Sequence, residues 1–215
     1  MSNRTMTRRD LMISSAVAAA VGGSVWMRGA ALAKPLSGHA TAPSDIRDLP
    51  PGELGRDYTP VVTPNGITLP YKLVDGVKVF HLVAGEFDHE IAPGLVIRAW
   101  GYNGRTPGPT IEACLGDRVR IYVTNTLPEP TTVHWHGIIV PSGMDGVSGL
   151  SQPAIPPGET FKYEFTLVNT GTHMYHSHFD EMVQIAMGMT GIFIIHPREP
   201  RNARVDRDFA IMLGE

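Results

Sequence analysis

The 215-residue chain contains a single cysteine, Cys114, and that scarcity removes several classes of protein at once. A lone thiol forms no internal disulfide and builds no cysteine-rich zinc or iron–sulfur site, so any metal here must be held by histidine or oxygen ligands. Clustered positive charge is also missing. The formal net charge is −3, and Arg4, Arg8, Arg9 and Arg28 against Asp10 put the excess of positive charge in the first 33 residues, leaving about −6 on the remainder. An acidic body without a Lys/Arg cluster offers no footprint for a phosphate backbone, which excludes nucleic acid as a partner. Long apolar runs are absent as well. The longest uncharged stretch, Leu11 to Met27, is weakly apolar and shorter than the ~20 residues a spanning helix needs. With 42% hydrophobic residues, the chain can still bury one substantial core.

That uncharged stretch follows Thr7-Arg8-Arg9-Asp10-Leu11-Met12 and leads to Ala31-Leu32-Ala33, a small-x-small pattern suited to a signal peptidase. Residues 1–33 are therefore expected to be a cleaved export signal, with a mature N-terminus near Lys34. The paired arginines resemble a twin-arginine signal, which implies a periplasmic or extracellular destination and no stable membrane insertion after cleavage.

Residues 34–76 carry Pro35, Pro43, Pro50, Pro51, Pro60, Pro64 and Pro70 with little apolar periodicity, and read as an extended arm outside the core. Beyond Gly76 the pattern changes to short β-rich runs: Val77 to Val83, Leu95 to Tyr102, Arg118 to Thr124, Thr132 to Ile139, Phe161 to Val168 and Thr190 to Ile195. Strands at this spacing, broken by Gly, Pro and Asn, predict an all-β sandwich over residues 77–197. Val119, Ile121 and Val123 alternate with Arg118, Arg120 and Tyr122, as do Phe161, Tyr163 and Phe165 with Lys162, Glu164 and Thr166, so each strand has one buried and one wet face. The helix-like stretch Asp180 to Met189 is too short and Gly-interrupted to serve as a packing element. Residues 198–215 read as a connector, with Asp208 to Leu213 beginning a strand of a following domain.

Two His-x-His triplets stand out: His134-Trp135-His136 and His176-Ser177-His178. In a strand, residues i and i+2 project from one face, so each triplet presents two imidazoles side by side. Nine histidines in a random chain of this length would give roughly 0.4 such triplets, so one would mean little, while two, with their flanks, mean more. Imidazole suits copper, zinc, iron and nickel alike, and spacing does not choose among them. Met174, Met182, Met187 and Met189 crowd the second triplet; thioethers suit cuprous ions, but gap-filling packing is the simpler role. His173 is out of phase with His176 and should face away. His39, His81, His89 and His196 have no partners at ligand spacing and read as surface or packing residues.

The flanks of the triplets add a resemblance. His134-Trp135-His136-Gly137 and Tyr175-His176-Ser177-His178 resemble the two amino-terminal copper motifs of laccases and other multicopper oxidases. Gly104-Arg105-Thr106-Pro107-Gly108-Pro109-Thr110-Ile111, Gly116-Asp117, Asn125, Asp145-Gly146 and Ile155-Pro156-Pro157-Gly158 match the same first domain. The resemblance covers roughly residues 76–197. It implies a cupredoxin-like Greek-key fold and copper as cofactor, with His134 on a type 2 ion and His136, His176 and His178 on a type 3 pair. It also implies dioxygen as acceptor, reduced to water while a phenolic or metal-ion reductant is oxidised. Asp145 resembles the acidic residue near that cluster, which points to proton supply or water orientation; as the Asp of an Asp-Gly pair it is equally a turn residue. Trp135, facing opposite its neighbours, is assigned to packing.

The chain departs from the family pattern in two respects. It supplies motifs for half of the cluster's histidines, and Cys114 lacks the flanking histidines of a type 1 copper site, so it reads as a core thiol. The remaining oxidase domains are then expected in the same full-length chain. The competing reading is a stand-alone copper-binding or copper-buffering domain without turnover. A nitrite-reductase-type enzyme fits less well, since His176 is followed by Ser177 where that family has cysteine.

Overall fold

The computed structural model describes residues 46–199 and 206–213. The expected signal at residues 1–33, the first part of the arm, His39 and part of the connector lie outside them.

Among the described residues nine strands form two sheets: β1 (Lys72–Val74), β2 (Val77–Ala92), β3 (Leu95–Tyr102), β4 (Gly108–Cys114), β5 (Arg118–Asn125), β6 (His134–His136), β7 (Thr160–Thr166), β8 (Gly171–His176) and β9 (Thr190–His196). The first sheet runs β1-β2-β5-β7, with β3 also paired to β2; the second runs β4-β9-β8-β6. Most pairs are antiparallel, but β2 lies parallel to β5, and β4 parallel to β9. One apolar core joins the sheets, with Phe80, Leu82, Val119, Ile121, Val123, Tyr163 and Phe165 meeting Ile111, Ala113, Trp135, Tyr175, Phe193 and Ile195. The alternation read along β5 is realised in full: Val119, Ile121 and Val123 are completely buried. This is the β-sandwich that the strand spacing predicts.

Several elements differ from the sequence reading. β2 runs to Ala92, nine residues past the expected Val83, and its end from Asp88 forms with Leu95–Arg98 of β3 a largely exposed ribbon. β6 is only three residues long, because Gly137 with φ +79° ends it. β4 was not anticipated as a strand. Every residue of it is buried, since the core covers one face and the arm covers the other, so no polar–apolar alternation marks it.

The arm itself is extended but does not stay outside the core. Leu69 enters the main cluster, Thr68 bridges to Thr110, and Val61 joins Ile192, Ile194 and Ala210 in a second small cluster on the outer face of β9. Nor does Asp208 to Leu213 form a strand: Phe209 makes one isolated bridge to Val62 of the arm.

Candidate metal centre

The two histidine triplets meet because their strands pair. β6 lies antiparallel to β8 at the edge of the second sheet, with His134 opposite His176, Trp135 opposite Tyr175 and His136 opposite Met174. The two-residue period then sorts the side chains. Trp135 and Tyr175 turn inward and are fully buried, Trp135 among the rings of Tyr163, Phe165 and Phe193. The histidines turn to the opposite face. A Cβ on Gly191 of β9 would collide with the Tyr175 ring, so a glycine lets that ring lie flat across the neighbouring strand.

On that face the ring centroid of His134 lies 5.5 Å from that of His136 and 5.3 Å from each of His176 and His178. One ring nitrogen from each of His134, His136 and His176 falls within 4.8 Å of the others. His178, just past the end of β8, stands beside this trio with its ring 6.1 Å from that of His176. Its Nε2 is 2.9 Å from Oε1 of Glu181.

Backbone carbonyls fix which nitrogens are free. His134 Nδ1 is 2.7 Å from the carbonyl oxygen of Asp145, and His176 Nδ1 is 2.7 Å from that of Ser177. A carbonyl only accepts, so in each neutral ring Nδ1 carries the proton and Nε2 keeps its lone pair. His136 has no such anchor; its Nδ1 lies 3.2 Å from His176 Nε2 and donates to it in the metal-free chain. Burial pushes the His176 imidazole below its ordinary 6.5, and His134 and His136 push the same way against the carbonyl of Ser177. The neutral, metal-binding form is thereby favoured. The donor set, three imidazoles with convergent nitrogens, fits copper.

Asp145 occupies the turn that its Asp-Gly context allows, beside the histidines. It follows the short 3-10 turn Ser142–Met144, and its main chain holds His134. Its carboxylate also reaches the site, with Oδ1 3.4 Å from His134 Nδ1. Gly146 makes the approach possible, because a Cβ there would overlap the Val133 carbonyl on the segment entering β6.

The other singled-out residues lie apart. Met189 is in the main core, Met187 packs against it, and Met182 is exposed. His173 sits beside Asn169, on the opposite face of β8 from His176. His81 bonds Thr124, and His196 pairs with buried Glu112 and stacks on Tyr58. Cys114 is buried, and burial pushes its thiol up to about 11. Glu181 was missed; the signal for it is the three-residue step from His178 at the start of a helical turn, α1 (Glu181–Gln184).

Comparison with known proteins places these features in context. The family model described as multicopper oxidase matches residues 88–200. Copper resistance protein A of Escherichia coli is 41% identical over 136 residues, which is 63% of this chain and 22% of that protein. A multicopper oxidase crystal structure from Pseudomonas thermotolerans superposes with a TM-score of 0.56 at 41% identity, covering 58% of this chain and 30% of that one. One from Campylobacter jejuni, described as a metallo-oxidase, gives 0.58 at 30% identity, covering 66% and 31%. The chain spans about a fifth of the length of the curated relatives it matches.

Proposed function

The chain belongs to the multicopper oxidase family, and from that premise we propose that it supplies half of the histidine ligands of a trinuclear copper cluster that reduces dioxygen to water. The observation that carries the reading is the antiparallel pairing of the two triplets, with His134, His136 and His176 nitrogens within 4.8 Å and two of those rings oriented by carbonyls. His134 is assigned to the type 2 ion, and His136, His176 and His178 to the type 3 pair. The reductant is a phenolic compound or a metal ion. The remaining histidines and the type 1 site come from further domains of the same full-length chain. Residues 77–197 form the cupredoxin-like domain, 34–76 its arm and 198–215 the connector. Residues 1–33 act as a twin-arginine signal directing export to the periplasm or beyond.

Copper, when bound, would pass electrons from the reductant to dioxygen. The protein's own part is to present neutral imidazoles in fixed tautomers and to manage protons. The Asp145 carboxylate, about a third exposed, lies beside His134, and its assigned role is proton supply or water orientation at the centre. Glu181 steadies His178 from the other side.

Copper stoichiometry and the visible spectrum of protein expressed from the full reading frame test this. About four coppers per chain with an intense blue thiolate band are expected for a complete oxidase. One copper or none, without the band, overturns the oxidase reading. It would leave a copper-binding domain without turnover, a second reading favoured by the convergence of three imidazoles within this chain alone.

A further inference from the structure

Helix α1 is a single turn, yet it buries a side-chain amide completely: Gln184 is 0% exposed. Its Oε1 accepts from Thr131 Oγ1 at 2.7 Å and from Ser177 Oγ. Its Nε2 donates to Glu129 Oε1 at 2.7 Å and to the Pro130 carbonyl at 2.8 Å. Every donor and acceptor of the amide is used. The opposite orientation would set Oε1 against a carboxylate and a carbonyl, so the network itself fixes which way the amide points.

The partners are the two segments that carry the histidines. Thr131 stands three residues before His134, on the approach to β6. Ser177 lies between His176 and His178, and its hydroxyl is 3.3 Å from that of Thr131. The same turn also places Glu181 against His178, so one helical turn contacts the second triplet twice. A leucine at position 184 would fill the volume, but apolar packing is not directional. Four hydrogen bonds to a planar amide set distance and angle together, and a buried amide persists only where all four are made.

We propose that Gln184 is a positioning residue for the metal centre: by bridging Thr131 and Ser177 it fixes the spacing between the two histidine triplets, and hence the copper geometry. This deepens the copper reading above and rests on it.

The test is Cu(II) titration of the protein by chelator competition and electron paramagnetic resonance, with melting of the metal-free protein alongside. The unsubstituted protein should bind Cu(II), and His176→Ala should weaken that binding more than about a hundredfold; if His176→Ala changes nothing, the copper reading itself fails and the positioning role with it. Gln184→Leu should weaken Cu(II) binding about ten- to a hundredfold, as loss of outer-shell partners does, and alter the copper hyperfine splitting. Leu82→Ala, in the core, should lower the melting temperature without changing affinity. Gln184→Glu should also lose affinity, because it sets a carboxylate against Glu129 and the Pro130 carbonyl, and adding Glu129→Gln, which removes the first of these, should restore part of it. Should Gln184→Leu fail to fold, Ser177→Ala and Thr131→Val each remove one spoke and should each weaken binding. Unchanged affinity and hyperfine splitting in the folded Gln184→Leu protein, or in both spoke variants, would overturn the proposal while leaving the copper site standing.

Discussion

Two polar clusters lie in this sandwich, and they are finished in opposite ways. In one, Asp117 is 1% exposed and both carboxylate oxygens are engaged: Oδ1 accepts from Gly52 N and Arg198, and Oδ2 accepts from Cys114 N and is ion-paired with Lys78. Lys78, itself wholly buried, lies 2.7 Å from Asp117 and over the rings of Tyr58 and Tyr71. Each charge there has its countercharge, and the cluster ties the arm and residue 198 to β2 and to the turn after β4. In the other, His134 and His176 have their Nδ1 protons committed to carbonyls, while ring nitrogens of these two and of His136 converge. Density of polar groups does not distinguish a structural knot from a binding site; leftover lone pairs aimed at one point do.

The contrast can be broken at either end. Asp117→Ala should give the largest effect, about 3–5 kcal/mol of lost stability, because the buried Lys78 charge is left without its partner; chemical denaturation measures it, and the folded fraction should bind Cu(II) as before. His176→Ala should do the reverse. Cu(II) affinity should fall more than about a hundredfold, beyond what outer-shell changes cost, while stability shifts by about 1 kcal/mol or less. Equal effects of both variants on both measurements would erase the distinction drawn here.

Acid titration separates the clusters from the surface. The Glu164 carboxyl is held at about 2, below its ordinary 4.5, chiefly by its hydrogen bond from Arg120 and also by Arg118. Its folded pKa is depressed, so its contribution, about 1 kcal/mol or less for a partly solvated pair, is intact above 4.5 and is lost as the pH falls towards 2. Metal-free protein should begin to lose stability earlier, below 6.5, where the unfolded chain protonates His176 and the folded chain resists. Glu164→Gln should remove only the lower of the two phases in a denaturation series. The smallest effect is expected from Asp145→Asn, which keeps the carbonyl that orients His134: Cu(II) affinity should change less than about threefold. A larger loss would show that the carboxylate, not the main chain, holds the ring.

Much of the site was legible because a two-residue spacing maps directly onto a strand face. His134, His136 and His176 announce themselves through that rule alone, and pairing of β6 with β8 needed only two strands. Gln184 was not legible and Glu181 showed only in its three-residue step from His178, since one turn of helix has no periodicity to read. Their contacts are with loops that only the fold brings near. The same limit explains β4: Ile111, Ala113 and Cys114 are buried together with Thr110 and Glu112, and a strand covered on both faces shows no alternation. The arm misled for a related reason. Prolines mark Leu69 and Val61 as irregular, but irregular backbone still buries its apolar side chains where a sheet face is bare.

The placement of β9 bears on when the centre can exist. This strand, near the end of the described chain, sits between β4 and β8, and its last residue, His196, meets Glu112 across 84 residues of sequence. During synthesis β4 emerges with only the arm to pair with and the first histidine triplet with none of its sheet partners, and the sheet that carries the histidines is not complete until residue 196 has left the ribosome. Long-range parallel pairing of this kind is slow, so the ribosome releases both triplets before their geometry is set.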